Sequence, residues 1–288
     1  MEHSGLRLRR YGYTTEFADA TGSYLEAREA EHCLLVGLTD ELRRTPRLYG
    51  FDPYLATVAQ GDSTVAVALR TPPHDLLLSE VLDERAVDLV AEDVLAASPD
   101  LTGVLGPTVA ARRFAELWER RSGRPQRLAT ALRVFQADRV RMPDGVRGRM
   151  RRPRPDERAI VIDWFDAFVE EANPGHREET PEQMVARYEG LEGDLGIRVW
   201  EDGGRAVSVA GCHGKTPHGA RIGPVYTPPS LRGSGYASAL TAVLTQTLLD
   251  GGCRFCFLFT DLANPTSNRI YRRLGYLPVT DLAEHRFG

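Results

Sequence analysis

Long hydrophobic runs are missing from this 288-residue chain. No apolar stretch approaches the roughly 20 residues that cross a bilayer, so no membrane partner is expected. A basic excess is missing too. The 36 Lys and Arg residues against 40 Asp and Glu give a net charge of −4. That leaves nothing to neutralise a nucleic-acid backbone, and no nucleic-acid partner is expected. Residues 1–16 lack the apolar stretch of a signal peptide, so a cytoplasmic location is the expectation. Cysteine is scarce: Cys33, Cys212, Cys253 and Cys256 are too few and too scattered for a disulfide framework. Cys253 and Cys256 form a C-x-x-C inside a run that reads as a buried strand, where residues three apart point to opposite faces. No second such pair or histidine pair completes a zinc set, and no metal is expected. Lysine is nearly absent, Lys215 standing alone, and the arginine excess needs no ligand to explain it.

What is present is enough apolar residue, 42%, for a substantial core, and a length that suits one large or two ordinary domains. From Asp156 apolar Ala159, Ile160, Ile162, Trp164, Phe165 and Phe168 recur at helical spacing. Thr180-Pro181-Glu182-Gln183 has the form of a capping box with Pro at the first helical position. Strands follow at 196–201, 205–215 and 220–226, then a helix at 236–249, a strand at 254–260, a short helix ending near Leu274 and a last strand from Tyr276.

The first half repeats this order. A helix carries Leu34, Leu35, Leu38 and Leu42; strands 54–60 and 63–70 flank a Gly61-Asp62 turn; a strand at 75–79, a helix at 84–97, a strand ending at Leu105 and a helix at 109–121 follow. Thr71-Pro72-Pro73-His74 matches Thr216-Pro217-His218. We read an internal duplication, with the Arg- and Pro-rich segment 139–155 as junction, part of 147–152 serving as the second half's first strand. The expected domains are 1–140 and 141–288, and the fold class α+β (mixed α/β), each half a twisted mixed sheet flanked by helices.

Chemistry concentrates in the second half. From Gly223 a strand enters Arg232-Gly233-Ser234-Gly235-Tyr236-Ala237-Ser238 and continues as a helix. Glycines let successive N–H groups face one small volume, and the helix start adds unpaired amides and a positive dipole end, a pocket for a phosphate or pyrophosphate. A dinucleotide fingerprint fails, because the loop follows an antiparallel hairpin; a P-loop fails, because no Gly-Lys-Ser/Thr is present. The second motif is Asn264-x-x-Ser267-x-x-Ile270-Tyr271-x-x-x-Gly275-Tyr276.

Together the motifs resemble the GNAT superfamily of acyl-CoA-dependent N-acyltransferases, most closely over 220–276. The resemblance implies acetyl-CoA as co-substrate. Its pantetheine arm would pair with Val225, Tyr226 and Thr227, and its pyrophosphate would rest on Arg232, Gly233, Ser234, Gly235, Tyr236, Ala237 and Ser238. Asn264, with Asn268 beside it, would contact the arm, and Tyr271 would give a proton or hydrogen bond to the leaving thiolate. A backbone N–H of the same strand would meet the oxyanion. His213 and Glu201 are candidate bases, Tyr226 and Asp261 ambiguous ones. In the first half no such loop lies between His74 and Val87, and aligning the short helices sets Trp118 against Tyr271 and Ala111 against Asn264. That half resembles the degenerate domain of tandem GNAT proteins, expected either to shape the acceptor pocket or to give structural support. The implied reaction is direct transfer, in a ternary complex, of acetyl to a primary amine of a small molecule. The alternatives are a peptide or protein amine as acceptor, and a non-catalytic acyl-CoA-binding sensor or interaction module.

Overall fold

The computed structural model describes the chain except for residues 1–4, 47–49, 173, 176–178 and 192, so the first four residues of the segment read for a leader lie outside the described residues. In chain order the elements are β1 (Leu6–Arg10), α1 (Thr14–Glu26), α2 (Cys33–Arg44), β2 (Tyr54–Gln60), β3 (Ser63–Arg70), β4 (Leu76–Leu78), α3 (Arg85–Ala97), β5 (Gly103–Pro107), α4 (Thr108–Ser122) and β6 (Gln126–Ala137). There follow β7 (Arg149–Arg151), α5 (Arg158–Ala172), α6 (Pro181–Ala186), β8 (Gly196–Asp202), β9 (Arg205–Lys215), β10 (Gly219–Tyr226), α7 (Tyr236–Asp250), β11 (Phe255–Asp261), α8 (Pro265–Leu274) and β12 (Leu277–Phe287). The mixed α/β class is observed, and the repeated order of elements is present. Three elements are additional to the sequence reading: β1, α1 and β6.

The chain divides into two units. One is Met1–Val134 with Val279–Gly288, the other Phe135–Pro278. The boundary expected at 140/141 is therefore corrected, most of all at the C-terminus, where the last ten residues join the first unit. The cause is pairing: β12 runs antiparallel to β5, from Leu282↔Pro107 to Arg286↔Gly103. Arg133 clamps Asp281 with two bonds of 2.7 Å, and the Phe287 ring stacks 5.3 Å from Trp118.

In the first unit the strand order is β1-β2-β3-β4-β5-β12, antiparallel except for β4 with β5. Period-two alternation sends Tyr54, Ala56, Val58, Ala66 and Ala68 to a core under α3 and α4, and Leu55, Val67 and Leu69 to a core with Phe17, Leu25, Leu35 and Leu42 of α1 and α2. Trp118 is 1% exposed and Ala111 fully buried, both inside α4. Ala111, set against Asn264 in sequence, thus lies past the helix start and caps nothing.

In the second unit the order is β11-β10-β9-β8-β7, antiparallel except for β10 with β11. Ala210, Cys212, Ile222, Cys256 and Leu258 face a core shared with Leu240, Leu244 and Leu248 of α7. Ile197, Val199, Val209 and Tyr226 face Val161, Trp164 and Phe165 of α5. Ile160, expected on the apolar stripe, is 37% exposed; Val161 takes its place. The capping box forms as read, with Gln183 N donating to Thr180 Oγ1 at 3.2 Å and Thr180 N to Gln183 Oε1 at 2.9 Å. Cys212 and Cys256 are buried and Cys253 half-buried. Burial pushes the Cys212 thiol up to about 12, which suppresses the thiolate. Among the described residues no group of three or more potential ligands could hold a metal, and no helix is long and apolar enough to cross a membrane.

Candidate active site

β10 breaks register with β9 twice, between Ala220 and Arg221 near its start and again between Ile222 and Val225, where the motif begins. Its parallel register with β11 runs Gly219↔Phe255, Ala220↔Cys256, Arg221↔Phe257 and, among the described residues, ends there. On the other side, Ile222 opposes Cys212 and Val225 opposes Ala210, so two residues of β10 face one of β9, a bulge. Tyr188 secures it by donating its hydroxyl to Gly223 O at 2.7 Å. Gly211 beneath has no room for more: a Cβ there would lie 2.5 Å from Tyr188 Cε1 and 2.9 Å from Gly223 O. Past the bulge, Val225 and Tyr226 remain paired to β9 by one edge only, leaving the other for a ligand's amides.

The strand end is held by hydroxyls. Thr227 Oγ1 donates to Ser208 Oγ, which donates to Tyr226 O, both at 2.9 Å. Arg232 then folds back, donating to Thr227 O at 2.8 Å, pairing with Glu171 of α5 at 2.7 Å and lying 5.5 Å over the Tyr226 ring. The first N–H to close a turn of α7 is that of Ala239, to Gly235 O at 2.9 Å. Among the described residues, the N–H groups of Gly233, Ser234, Gly235, Tyr236, Ala237 and Ser238 find no acceptor. Gly235 is at φ +81°, and a Cβ on it would lie 2.9 Å from Val146 Cγ2, so glycine is required twice over. The Tyr236 hydroxyl donates to Asp202 Oδ2 at 2.7 Å, which fixes the helix start and pushes its phenol pKa up.

The second motif separates into structural and available groups. Asn264 caps α8, its Oδ1 accepting from Ser267 N at 3.0 Å; the residue is exposed, and its amide nitrogen makes no hydrogen bond among the described residues. Asn268 is a strut: its amide donates to Asp261 O and Asn264 O, both at 2.8 Å, and its oxygen accepts from Thr260 Oγ1 at 2.9 Å. Asp261 Oδ1 accepts from Ala263 N and shapes the turn. Gly275 at φ +102° ends the helix, and Tyr276 N returns to Tyr271 O at 3.0 Å. The Tyr276 ring is 1% exposed with its hydroxyl 2.6 Å from Thr245 Oγ1, a core residue. Tyr271 differs. Its half-buried ring lies 5.9 Å from Tyr276 and 6.5 Å from Phe135, and its hydroxyl makes no hydrogen bond among the described residues. Burial alone pushes this phenol up to about 12, so it stays protonated at neutral pH. Val225, Tyr236 and Tyr271 pack on one core, which gathers both motifs on one framework.

The candidate bases are occupied. Glu201 accepts from Arg149, Arg151 and Arg154, and Arg151 above all holds its carboxyl below the usual range. His213 Nε2 lies 3.2 Å from an Arg221 guanidinium nitrogen, which can only donate. In the first unit the matching strand end is sealed by its own side chains. Glu80 N donates to His32 Nε2 at 3.0 Å, and Glu80 O accepts from the Tyr24 hydroxyl at 2.6 Å. Ser79 N and Leu82 N bond back to β3, and Arg85 N to Asp83. Tyr188, Ser208, Glu171 and Val146, which hold the second unit's site, escaped sequence reading because none lies within either motif.

Residues 161–276 match the model of the acetyltransferase (GNAT) family. No curated protein matches the chain. Among solved structures, a Drosophila protein superposes with TM-score 0.69 at 14% identity, covering 98% of each chain. A GCN5-related N-acetyltransferase from Sphaerobacter thermophilus gives 0.60 at 20% identity, over 99% of this chain and 96% of that one. A tandem GNAT protein from the clavulanic acid biosynthesis pathway gives 0.53 at 14%, over 98% of each. These likenesses are likenesses of fold.

Proposed function

The chain's residues 161–276 form a domain of the acetyltransferase (GNAT) family, and on that premise we propose that its second unit moves acetyl from acetyl-CoA to a primary amine of a small molecule by direct transfer. The observation that carries this reading is the run of unpaired N–H groups from Gly233 to Ser238 at the start of α7. Orphaned amides in a row, at the positive end of a helix dipole, suit a pyrophosphate and little else of this size. The residues fit the group: the loop supplies the amides, Val225 and Tyr226 a strand edge for the pantetheine arm, and exposed Asn264 its side-chain amide.

When bound, the thioester supplies an activated acyl carbon and a thiolate leaving group. The chain's part is to hold and give a proton. Tyr271 keeps its proton at Oη and, among the described residues, has no acceptor for it, so it is free to donate to the departing sulfur as the C–N bond forms and the C–S bond breaks. The proton shed by the attacking amine passes to solvent, from which the phenol is restored. The buried thiols, with suppressed thiolates, support direct attack by the amine rather than a cysteinyl intermediate.

Calorimetry with acetyl-CoA tests the reading. One site per chain is expected, lost in Gly235→Glu, where a side chain strains the φ of +81°, crowds Val146 and sets a carboxylate among the amides. Absence of binding to the native protein overturns the reading; a second site per chain overturns its restriction to the second unit.

A further inference from the structure

We propose that Arg147, outside both motifs, is the cationic contact for the pyrophosphate of the acyl-CoA, a role that rests on the reading above. The loop's own arginine is largely committed. Arg232 is paired with Glu171 through Nη2 at 2.7 and 2.8 Å and donates its Nε proton to Thr227 O, so its charge is balanced by a carboxylate and only its Nη1 is without a partner among the described residues. Nearby, Tyr236 donates to Asp202, which puts a carboxylate beside the helix start, where it opposes an incoming anion. A doubly charged pyrophosphate set on amides alone, beside Asp202, lacks a counter-charge.

Arg147 is the group in position to supply it. Val146, its neighbour, is the residue whose methyl lies 2.9 Å from the Cβ position of Gly235. The Trp200 indole donates to Arg147 O at 2.8 Å, and Gly148 at φ +110° packs so closely on Glu201 O and Trp200 Nε1 that a Cβ would collide with both. The backbone at 146–148 is thereby pinned between the end of β8 and the loop. From there the Arg147 charge is felt at the Tyr236 phenol, where it opposes part of the upward push of Asp202. The neighbouring arginines are consumed: Arg149, Arg151 and Arg154 are all bonded to Glu201, and Arg151 and Arg154 also to Glu157. The Arg147 guanidinium is exposed and, among the described residues, has no hydrogen bond or ion pair. Its planar fork of donors matches two phosphate oxygens, which a point charge does not.

The experiment is calorimetry of CoA and of dephospho-CoA against native protein, Arg147→Ala, Arg147→Lys and Arg147→Glu, at low and high salt. The expected loss is about tenfold in affinity for Arg147→Ala at low salt, smaller for Arg147→Lys and larger for Arg147→Glu. The gap should narrow at high salt, and be the same for both ligands, since both carry the pyrophosphate. Melting temperatures should not move, because the side chain has no partner among the described residues. Equal affinities for native protein and Arg147→Ala overturn the proposal while leaving the function standing. A loss confined to CoA overturns it as well, by moving the arginine to the 3′-phosphate. Failure of the native protein to bind either ligand overturns both readings.

Discussion

Tyr271 and Tyr276 stand five residues apart in one motif and do different work. The phenol of Tyr276 is fully enclosed and satisfied by Thr245, so its contribution is to the core. Tyr271 has a half-buried ring and a hydroxyl with no hydrogen-bond partner among the described residues. Tyr271→Phe should keep acetyl-CoA affinity, since no phosphate or strand contact changes, and lower kcat by about 10²-fold or more in an assay of thiol release over a panel of amines. Because burial raises this phenol to about 12, it should remain the acid form throughout the working pH range and contribute no alkaline limb near neutrality. Retained turnover in the Phe variant would remove Tyr271 from the chemistry. The two asparagines divide in the same way: Asn268 bonds through both ends of its amide, whereas exposed Asn264 bonds, among the described residues, through its oxygen alone.

At the scale of elements, the two units close the same strand end differently. In the second unit the chain after β10 leaves six consecutive amides, Gly233 to Ser238, without an acceptor among the described residues before α7 takes hold. In the first, α1 and α2 bring Tyr24 and His32, stacked 5.6 Å apart, onto Glu80. His32 is 2% exposed and accepts through Nε2, so its other nitrogen carries the proton and donates to Leu25 O at 3.1 Å. Burial lowers its pKa from 6.5; the Leu25 bond and Glu31 oppose that shift, and Arg28 adds to it. The sign follows. The stability contributed by neutral His32 is present above the unfolded value of 6.5 and lost as pH falls through the lower folded value. Urea midpoints should therefore drop between pH 7.5 and pH 5. His32→Leu should cost about 1–3 kcal/mol at the higher pH, by stranding Glu80 N–H and Leu25 O, and should show a shallower drop. An equally steep profile in the variant would place the titration elsewhere.

For the whole molecule, the C-terminal strand belongs to the unit that begins the chain. A chain ended at Pro278 loses the pairing of β12 with β5, the Arg133–Asp281 clamp and the Phe287 ring over Trp118 and Phe114. We expect its thermal unfolding to lose the transition of the first unit or shift it well down. Trp118 emission should move to the red as that core opens. Unchanged calorimetric unfolding of the truncated chain would show β12 to be dispensable. A corollary is that 141–288, the span expected for the second domain, is a poor unit to express alone, since it carries a strand whose partner is elsewhere.

By itself the sequence determined the order of elements in the second unit, the capping box at Thr180, the end of the short helix near Leu274 and the two motifs. Each of these is local: a period, a cap or a turn is written in neighbouring residues and needs nothing distant to be read. Tertiary structure alone decided that β12 crosses to the first unit and that Glu171 cancels Arg232. It alone decided that Tyr188 locks the bulge, and that Val146 and Arg147 lie beside the loop. These depend on which strand edges and charges meet after segments tens to hundreds of residues apart have packed, and no spacing along the chain encodes that. Even Leu277–Phe287, legible as a strand from its residues, could not announce its partner, because β propensity specifies an edge and leaves the choice of neighbour to the core.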